Sequence, residues 1–183
     1  TAVFFGDGAI DEGVFWESLN FACLKKIPLL FICEDNHLAI HSKSSERQGY
    51  RSITDIINRF DCHVIQSEST DPEVIAELTT QGITHILKND GPVFFHFKYY
   101  RYLEHVGVNE DFQFGYRSRD EFKHWQAIDP VDLQRKKLLD NGHQETSIRK
   151  IETEILKRIE TSILQAIQAP FPPDADLSKD VLA

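Results

Sequence analysis

The chain has 183 residues, 41% of them apolar and 27% charged, with a formal net charge of −9. That is ordinary globular composition in a length able to bury a core, and it excludes disorder as the organising theme. The acidic balance excludes a general nucleic-acid or anionic-membrane binder, because phosphate contacts need clustered Lys and Arg.

Local basic pairs, Lys25-Lys26 and Lys136-Lys137, read as solvated helix ends. Cys23, Cys33 and Cys62 are odd in number and form no CxxC, so neither a disulfide framework nor a zinc knuckle is indicated. No apolar run approaches the roughly 18 residues that span a bilayer, and no basic segment precedes the first apolar residues. The expectation is a soluble chain in a reducing cytoplasm.

In chain order, Ala2 to Phe5 is a β-branched and aromatic run that breaks at Gly6-Asp7-Gly8. Glu12 to Lys26 then reads as a helix, with Val14, Phe15, Leu19, Ala22 and Cys23 near one face and Pro28 beyond its end. Leu29 to Cys33 is the next strand. Ser52 caps a short helix through Phe60, and His63 to Gln66 is a third strand. Asp71-Pro72 supplies an N-cap and N1 pair for a helix to about Leu87, before a fourth strand, Val93 to Phe97.

Strands alternating with helices of this length predict an α/β fold with a parallel sheet flanked by helices. Tyr99 to Trp125 shows no sustained period and reads as a long surface loop. Asp129-Pro130 opens another helix, closed by Asn141-Gly142. Ile148, Ile151, Ile155, Ile159, Ile163 and Ile167 follow at three- and four-residue steps, predicting an amphipathic helix against the sheet or another chain. The last segment, APFPPDADLSKDVLA, reads as an extended tail. The expected organisation is a core over 1–128, with an active-site loop at about 99–125, and C-terminal helices and tail of the same domain over 129–183.

The polar break after the first strand admits few readings. A dinucleotide fingerprint would need Gly where Asp11 stands, and an EF-hand loop would need an oxygen ligand at Ala9 and Gly at Glu12. What remains is a plain turn or a metal and phosphate site, in which Asp7 offers a hard oxygen and the following N–H groups face a helix start. A second polar cluster, Glu34-Asp35-Asn36-His37-Leu38, ends the next strand. In a parallel sheet both clusters lie on one edge, where a carboxylate, an amide oxygen and a loop carbonyl supply part of an octahedron for Mg²⁺. His37 and His41 are four apart but lack the Glu of an HExxH motif and fall in a loop, which argues against a zinc site there.

These residues carry a resemblance. GDG followed by NFACLKKIPLLFICEDN resembles the thiamine diphosphate motif of the α subunits of 2-oxo acid dehydrogenase E1 components, of the pyruvate, branched-chain and acetoin type. GPVFFHFKYYRY, EHVG, GYRSRDEF, DPVDLQRKKLLDNG and APFP resemble later family segments in order, so the likeness runs along essentially the whole chain and points to the family's C-terminal half.

The resemblance implies a thiamine diphosphate-binding fold of the PP type without its N-terminal part, with thiamine diphosphate and Mg²⁺ as cofactors. It makes Asp7 and Asn36 side-chain metal ligands and Leu38 a backbone-carbonyl ligand, and gives the N–H groups of Gly8 and Ala9 to the diphosphate. His105 matches the family's loop His, close to the chemistry; Arg101 matches the Arg before that loop, meeting a phosphate, a carboxylate or an ion-pair partner such as Glu104 or Asp111. His41 lines the cofactor pocket, and Glu17 and Asn20 are supporting residues.

Implied partners are a β-type E1 subunit or domain, which provides the Glu that activates the cofactor, a 2-oxo acid substrate, and a lipoyl-bearing acyltransferase downstream. Glu104 and Val106 depart from the Gly and Ser common around the loop His, and His96 from an acidic residue. Val106 removes a phosphorylatable side chain. Two other readings compete: a non-catalytic phosphate-binding or assembly module of the same fold, and a Mg²⁺-dependent phosphatase with Asp7 as nucleophile.

Overall fold

Side chains alternate across a strand, so a strand apolar at every position must be covered on both faces. In the computed structural model, which describes residues 1–88 and 90–179, the two central strands of one sheet meet that requirement, whereas Val3 and Phe4 of the first strand are 42% and 65% exposed. Four strands, β1 (Ala2–Gly6), β2 (Leu30–Asp35), β5 (His63–Ser67) and β6 (Val93–Lys98), form one sheet in the order β1-β2-β6-β5. Every pairing in it is parallel, with Phe4 opposite Ile32, Ile32 opposite Phe95, and Ile65 opposite Phe95.

Alternate residues of β2 and β6 sort into two cores. Phe31, Cys33 and Phe94 pack with Ile10, Phe15, Leu19, Ala22 and Cys23 of the first turn and α1 (Gly13–Leu24), and with Ile53 and Ile57 of α3 (Ile53–Ile57). Ile32, Val93, Phe95 and Ile65 pack on the other side with Leu78 and Ile86 of α4 (Pro72–Leu87). Ser52 accepts the Asp55 N–H at the start of α3, and Asp71 accepts that of Glu73 at the start of α4, as their cap positions predict. Val14 departs from expectation: it is 67% exposed, off the buried face of α1.

Between β2 and β5 lies a small antiparallel hairpin, β3 (Leu38–Ala39) with β4 (Ser42–Lys43), followed by α2 (Ser44–Arg47). The segment 99–125 is not one structureless loop. It holds a 3₁₀ turn, Phe112–Phe114, and the start of α5 (Arg119–Ala127), capped by Ser118 Oγ accepting the Glu121 N–H at 3.1 Å. Sequence reading missed α5 because its apolar residues are aromatics that pack on Tyr100 and Tyr102 of the preceding segment instead of marking a helical stripe.

The chain divides into two compact units, residues 1–134 and 135–183. The second contains most of α6 (Pro130–Asp140) and α7 (Glu145–Gln168). Within it Arg135 pairs with Glu145 and Glu152, and Arg149 with Glu145 at 3.0 Å. Ile148 is buried, whereas Ile151, Ile155, Ile159, Ile163 and Ile167 are 48–74% exposed. The tail carries a 3₁₀ turn at Asp174–Ser178 and is exposed; its last four residues lie outside the described ones. No helix among the described residues is long and apolar enough to cross a membrane.

Candidate functional site

Parallel strands deliver all their carboxyl ends to one edge, where α/β folds place ligands. Gly6 pairs with Glu34, so Asp7 and Asn36 leave adjacent strands within one or two residues of the last pairing. Asp7 begins a 3₁₀ turn, Asp7–Asp11, and is only 3% exposed. Its Oδ2 accepts from Arg47 Nη2 at 2.6 Å, while its Oδ1 is buried with no hydrogen-bond partner. An unsatisfied buried carboxylate oxygen is costly, and a bound cation is one remedy. Gly8 is sterically required: a Cβ there would meet Ala39 Cβ at 2.9 Å, because the hairpin lies against this turn. Gly8 and Ala9 come second and third in the turn, where N–H groups lack intrahelical acceptors.

The second polar cluster is tightly bent. His37 has φ 62° and Ile40 φ 57°, left-handed values that cost a β-branched residue in particular. Side-chain bonds hold the bend: Asp35 Oδ1 accepts the His37 N–H at 2.8 Å and Asn36 Oδ1 accepts the Leu38 N–H at 3.0 Å. Asn36 Nδ2 donates to Tyr99 Oη at 3.2 Å, fixing the amide so that Oδ1 keeps a second lone pair. The His37 carbonyl accepts from Ser44 N–H at 2.9 Å. Successive carbonyls of an antiparallel ladder alternate in direction, so the Leu38 carbonyl points away from β4.

Asp35 is a hub beneath this bend. It is 5% exposed and accepts from His96 Nε2 at 2.8 Å and from Lys98 Nζ, which also meets His37 Nε2 at 2.8 Å. Burial alone would raise its carboxyl, but hydrogen bonds from His96, Lys98 and the His37 N–H outweigh burial and hold it well below the usual carboxylate range. These residues line a cavity of about 560 Å³ together with Tyr50 and Arg51.

The loop after β6 closes over the hairpin. Arg101 Nη2 donates to Tyr116 Oη at 2.9 Å and to the Ile40 carbonyl at 3.4 Å, and lies 3.8 Å from Asp111. Asp111, rather than Glu104, is thus its acidic neighbour, and its Nε is buried and unpartnered. The His41 ring stands 4.5 Å from that of Tyr116 and 5.9 Å from that of Phe114. His41 therefore joins hairpin to loop, whereas the His37 ring nitrogens meet Ser44 Oγ and Lys98 Nζ. A cleft of about 520 Å³ runs between hairpin and loop, lined by Asn36, Leu38, Ser44, Tyr116 and Arg117 among others.

His105 is exposed, in a turn where Glu104 N–H donates to the Asn109 carbonyl at 2.9 Å. Glu17 and Asn20 are exposed on α1. Among the described residues no group of three or more His, Cys, Asp or Glu is placed to hold a metal, so a cation here would rest on one carboxylate, one amide and a carbonyl.

Sequence reasoning missed Arg47, Asp35 with Lys98, and the Asp111–Arg117 pair. Arg47 follows Asp7 by 40 residues and meets it only through the hairpin fold; no local signal marks it.

The family model for the dehydrogenase E1 component matches residues 1–174. The pyruvate dehydrogenase E1 component subunit alpha of Porphyra purpurea is 28% identical over 184 residues, covering 100% of this chain and 53% of its own. That of Zymomonas mobilis is 26% identical over 183 residues, covering 100% and 51%. The chloroplastic subunit alpha-3 of Oryza sativa is 28% identical over 184 residues, covering 100% and 43%. The chain spans about half the length of the curated relatives it matches.

Proposed function

This chain belongs to the dehydrogenase E1 component family, and from that premise we propose that it anchors thiamine diphosphate through Mg²⁺ as the α-type portion of an enzyme that decarboxylates a 2-oxo acid. The observation that carries the reading is the buried, unpartnered Oδ1 of Asp7 at the end of β1, next to the strand that delivers Asn36. Asp7, Asn36 and the Leu38 carbonyl would offer Mg²⁺ hard oxygens of the kind it prefers.

Bound there, the cofactor supplies the electron sink for decarboxylation. The chain's own residues hold and orient it. The Gly8 and Ala9 N–H groups would take diphosphate oxygens, and Gly8 lets the hairpin pack against the turn that carries them. The Asx-type bonds of Asp35 and Asn36 hold the bend at His37 and fix the Leu38 N–H, so the Leu38 carbonyl would need no reorganisation to bind. His41 and Arg101 fasten the loop over the hairpin, and His105, on that loop, handles the substrate. A β-type subunit provides the cofactor-activating Glu, and a lipoyl-bearing acyltransferase accepts the product.

The test is titration calorimetry of thiamine diphosphate with and without Mg²⁺. Asp7→Asn and Asn36→Ala are each expected to weaken Mg²⁺-dependent binding at least about tenfold, roughly the worth of one charge-assisted contact. Unchanged binding in both variants would refute the reading. Binding without 2-oxo acid turnover by the assembled enzyme would favour the non-catalytic module, and phosphatase activity without cofactor binding would favour Asp7 as nucleophile.

A further inference from the structure

No motif pairs the cysteines in the sequence, but the fold brings two of them together at the edge of the sheet opposite the polar clusters. Cys23 lies on the buried face of α1 near its end, and Cys62 immediately precedes β5. Both segments are tied to the start of β6: the His63 N–H donates to the Pro92 carbonyl at 3.1 Å, and the Val93 N–H donates to the Leu29 carbonyl at 2.9 Å. Gly91 marks how closely they converge, because a Cβ there would stand 3.5 Å from the Asp61 carbonyl oxygen and 4.0 Å from Lys26 Cα. Cys62 packs against the core that holds Cys23, and the two thiols are in hydrogen-bonding contact. Cys33 is fully buried in β2, and its charged neighbours, Asp35 and Asp7, lie at the other edge.

We propose that Cys23 and Cys62 form a modification site, where a peroxide converts two thiols of the folded chain into a disulfide that staples α1 to β5. One thiolate attacks a peroxide oxygen; the O–O bond breaks, hydroxide departs and takes up the proton the thiol released, and a sulfenic acid remains. The second sulfur attacks the sulfenic sulfur; the S–S bond forms, the S–O bond breaks, and the hydroxyl leaves with the second thiol's proton as water. In sum, two thiols lose two electrons and two protons, and one peroxide gains them to become two waters.

Burial raises both thiols, that of Cys62 to about 12, so the pair stays reduced until an oxidant is supplied. The second step needs no diffusing partner, since the other thiol is already in contact. The bond encloses β2, the hairpin, α2 and α3, the whole stretch that carries Asp35, Asn36, Leu38 and Arg47. A cross-link of that span removes conformational freedom from the unfolded chain and so favours the folded one. None of the residues given to Mg²⁺ or diphosphate takes part, so the proposal stands or falls apart from the cofactor reading.

The test is treatment of the reduced, folded protein with hydrogen peroxide, followed by peptide mapping, thiol counting after denaturation, and a thermal melt. The expected outcome is a linked Cys23–Cys62 peptide and a fall from three free thiols to that of Cys33 alone. The melting temperature is expected to rise by at least about 5 °C, reversibly with dithiothreitol. Dilution should leave the rate unchanged, as for a bond within one chain. Cys62→Ser is expected to abolish the linkage and the gain, and Cys33→Ser to keep both. Cys62 is the less buried of the pair, which keeps the proposal testable if Cys23→Ser does not fold.

A bond between two chains, a bond to Cys33, or oxidation of either thiol to sulfinic acid without the linked peptide overturns the proposal. So does a linked protein that melts no higher than the reduced one.

Discussion

Arg117 is a cation inside the molecule, 6% exposed, and its donors hold the loop after β6 together. Nε donates to Asp111 Oδ1 at 2.7 Å, and the two terminal nitrogens reach the carbonyls of Arg101, Tyr102 and Leu103. Its guanidinium also lies 5.2 Å from the Phe112 ring centre and 5.4 Å from that of Tyr100. Removing one member of a buried pair leaves the other charge unpaired, at a cost of about 3–5 kcal/mol. Arg117→Ala is therefore expected to loosen the loop sharply, read as faster limited proteolysis between 103 and 118.

Asp111 gives the same pair a pH dependence. Burial would raise its carboxyl, but hydrogen bonds from Tyr116 and Arg117 and the nearby charges of Arg117 and Arg101 prevail and hold it below the ordinary value. A carboxyl depressed by folding contributes stability that is present above its unfolded value, about 3.9, and is lost as pH falls through the folded one. Asp111→Asn should thus flatten the acid limb of the melting-temperature curve below about pH 4, whereas an unaltered limb would contradict this account. The sequence offered Asp111 only as an ion-pair partner for Arg101 and did not mark its bond to Arg117, because a buried Asp and a solvated loop Asp look alike until the chain closes around them.

Helix α4 shows what one missing side chain permits. Gly82 is buried at its centre, and a Cβ there would stand 2.4 Å from Phe95 Cζ. Glycine in a helix interior costs about 1 kcal/mol relative to alanine, so its presence marks a close approach to the sheet. Gly82→Ala is expected to destabilise by about 1–3 kcal/mol through overpacking, despite its better helix propensity, and chemical denaturation measures it. The ends of α3 and α4 were legible because Ser52 and Asp71 act through local bonds to N–H groups a few residues on. Helix α5 was not legible, since its Phe122 and Trp125 belong to a cluster with Tyr100, a contact between distant stretches of chain.

Across the molecule, burial separates two kinds of apolar residue. Leu19 is 0% exposed beneath the sheet, and Leu19→Ala should cost about 2–5 kcal/mol in equilibrium unfolding. Ile159 is 50% exposed on α7, and Ile159→Lys should change stability by no more than about 0.5 kcal/mol. Periodicity alone would rank the two equally. It identifies an amphipathic face without saying whether anything covers it, as the half-exposed isoleucines show.

By itself the sequence determined the strand and helix alternation, the parallel sheet, and the two polar clusters at strand ends, because period, caps and turn residues act over a few neighbours. The tertiary structure alone decided which side chains those clusters meet: Arg47 on Asp7, Lys98 and His96 on Asp35, Arg117 on Asp111. Those pairings join residues 6 to 63 positions apart. A charge carries no mark of its partner in the sequence; only the folded path, which sets distance and excludes water, selects it.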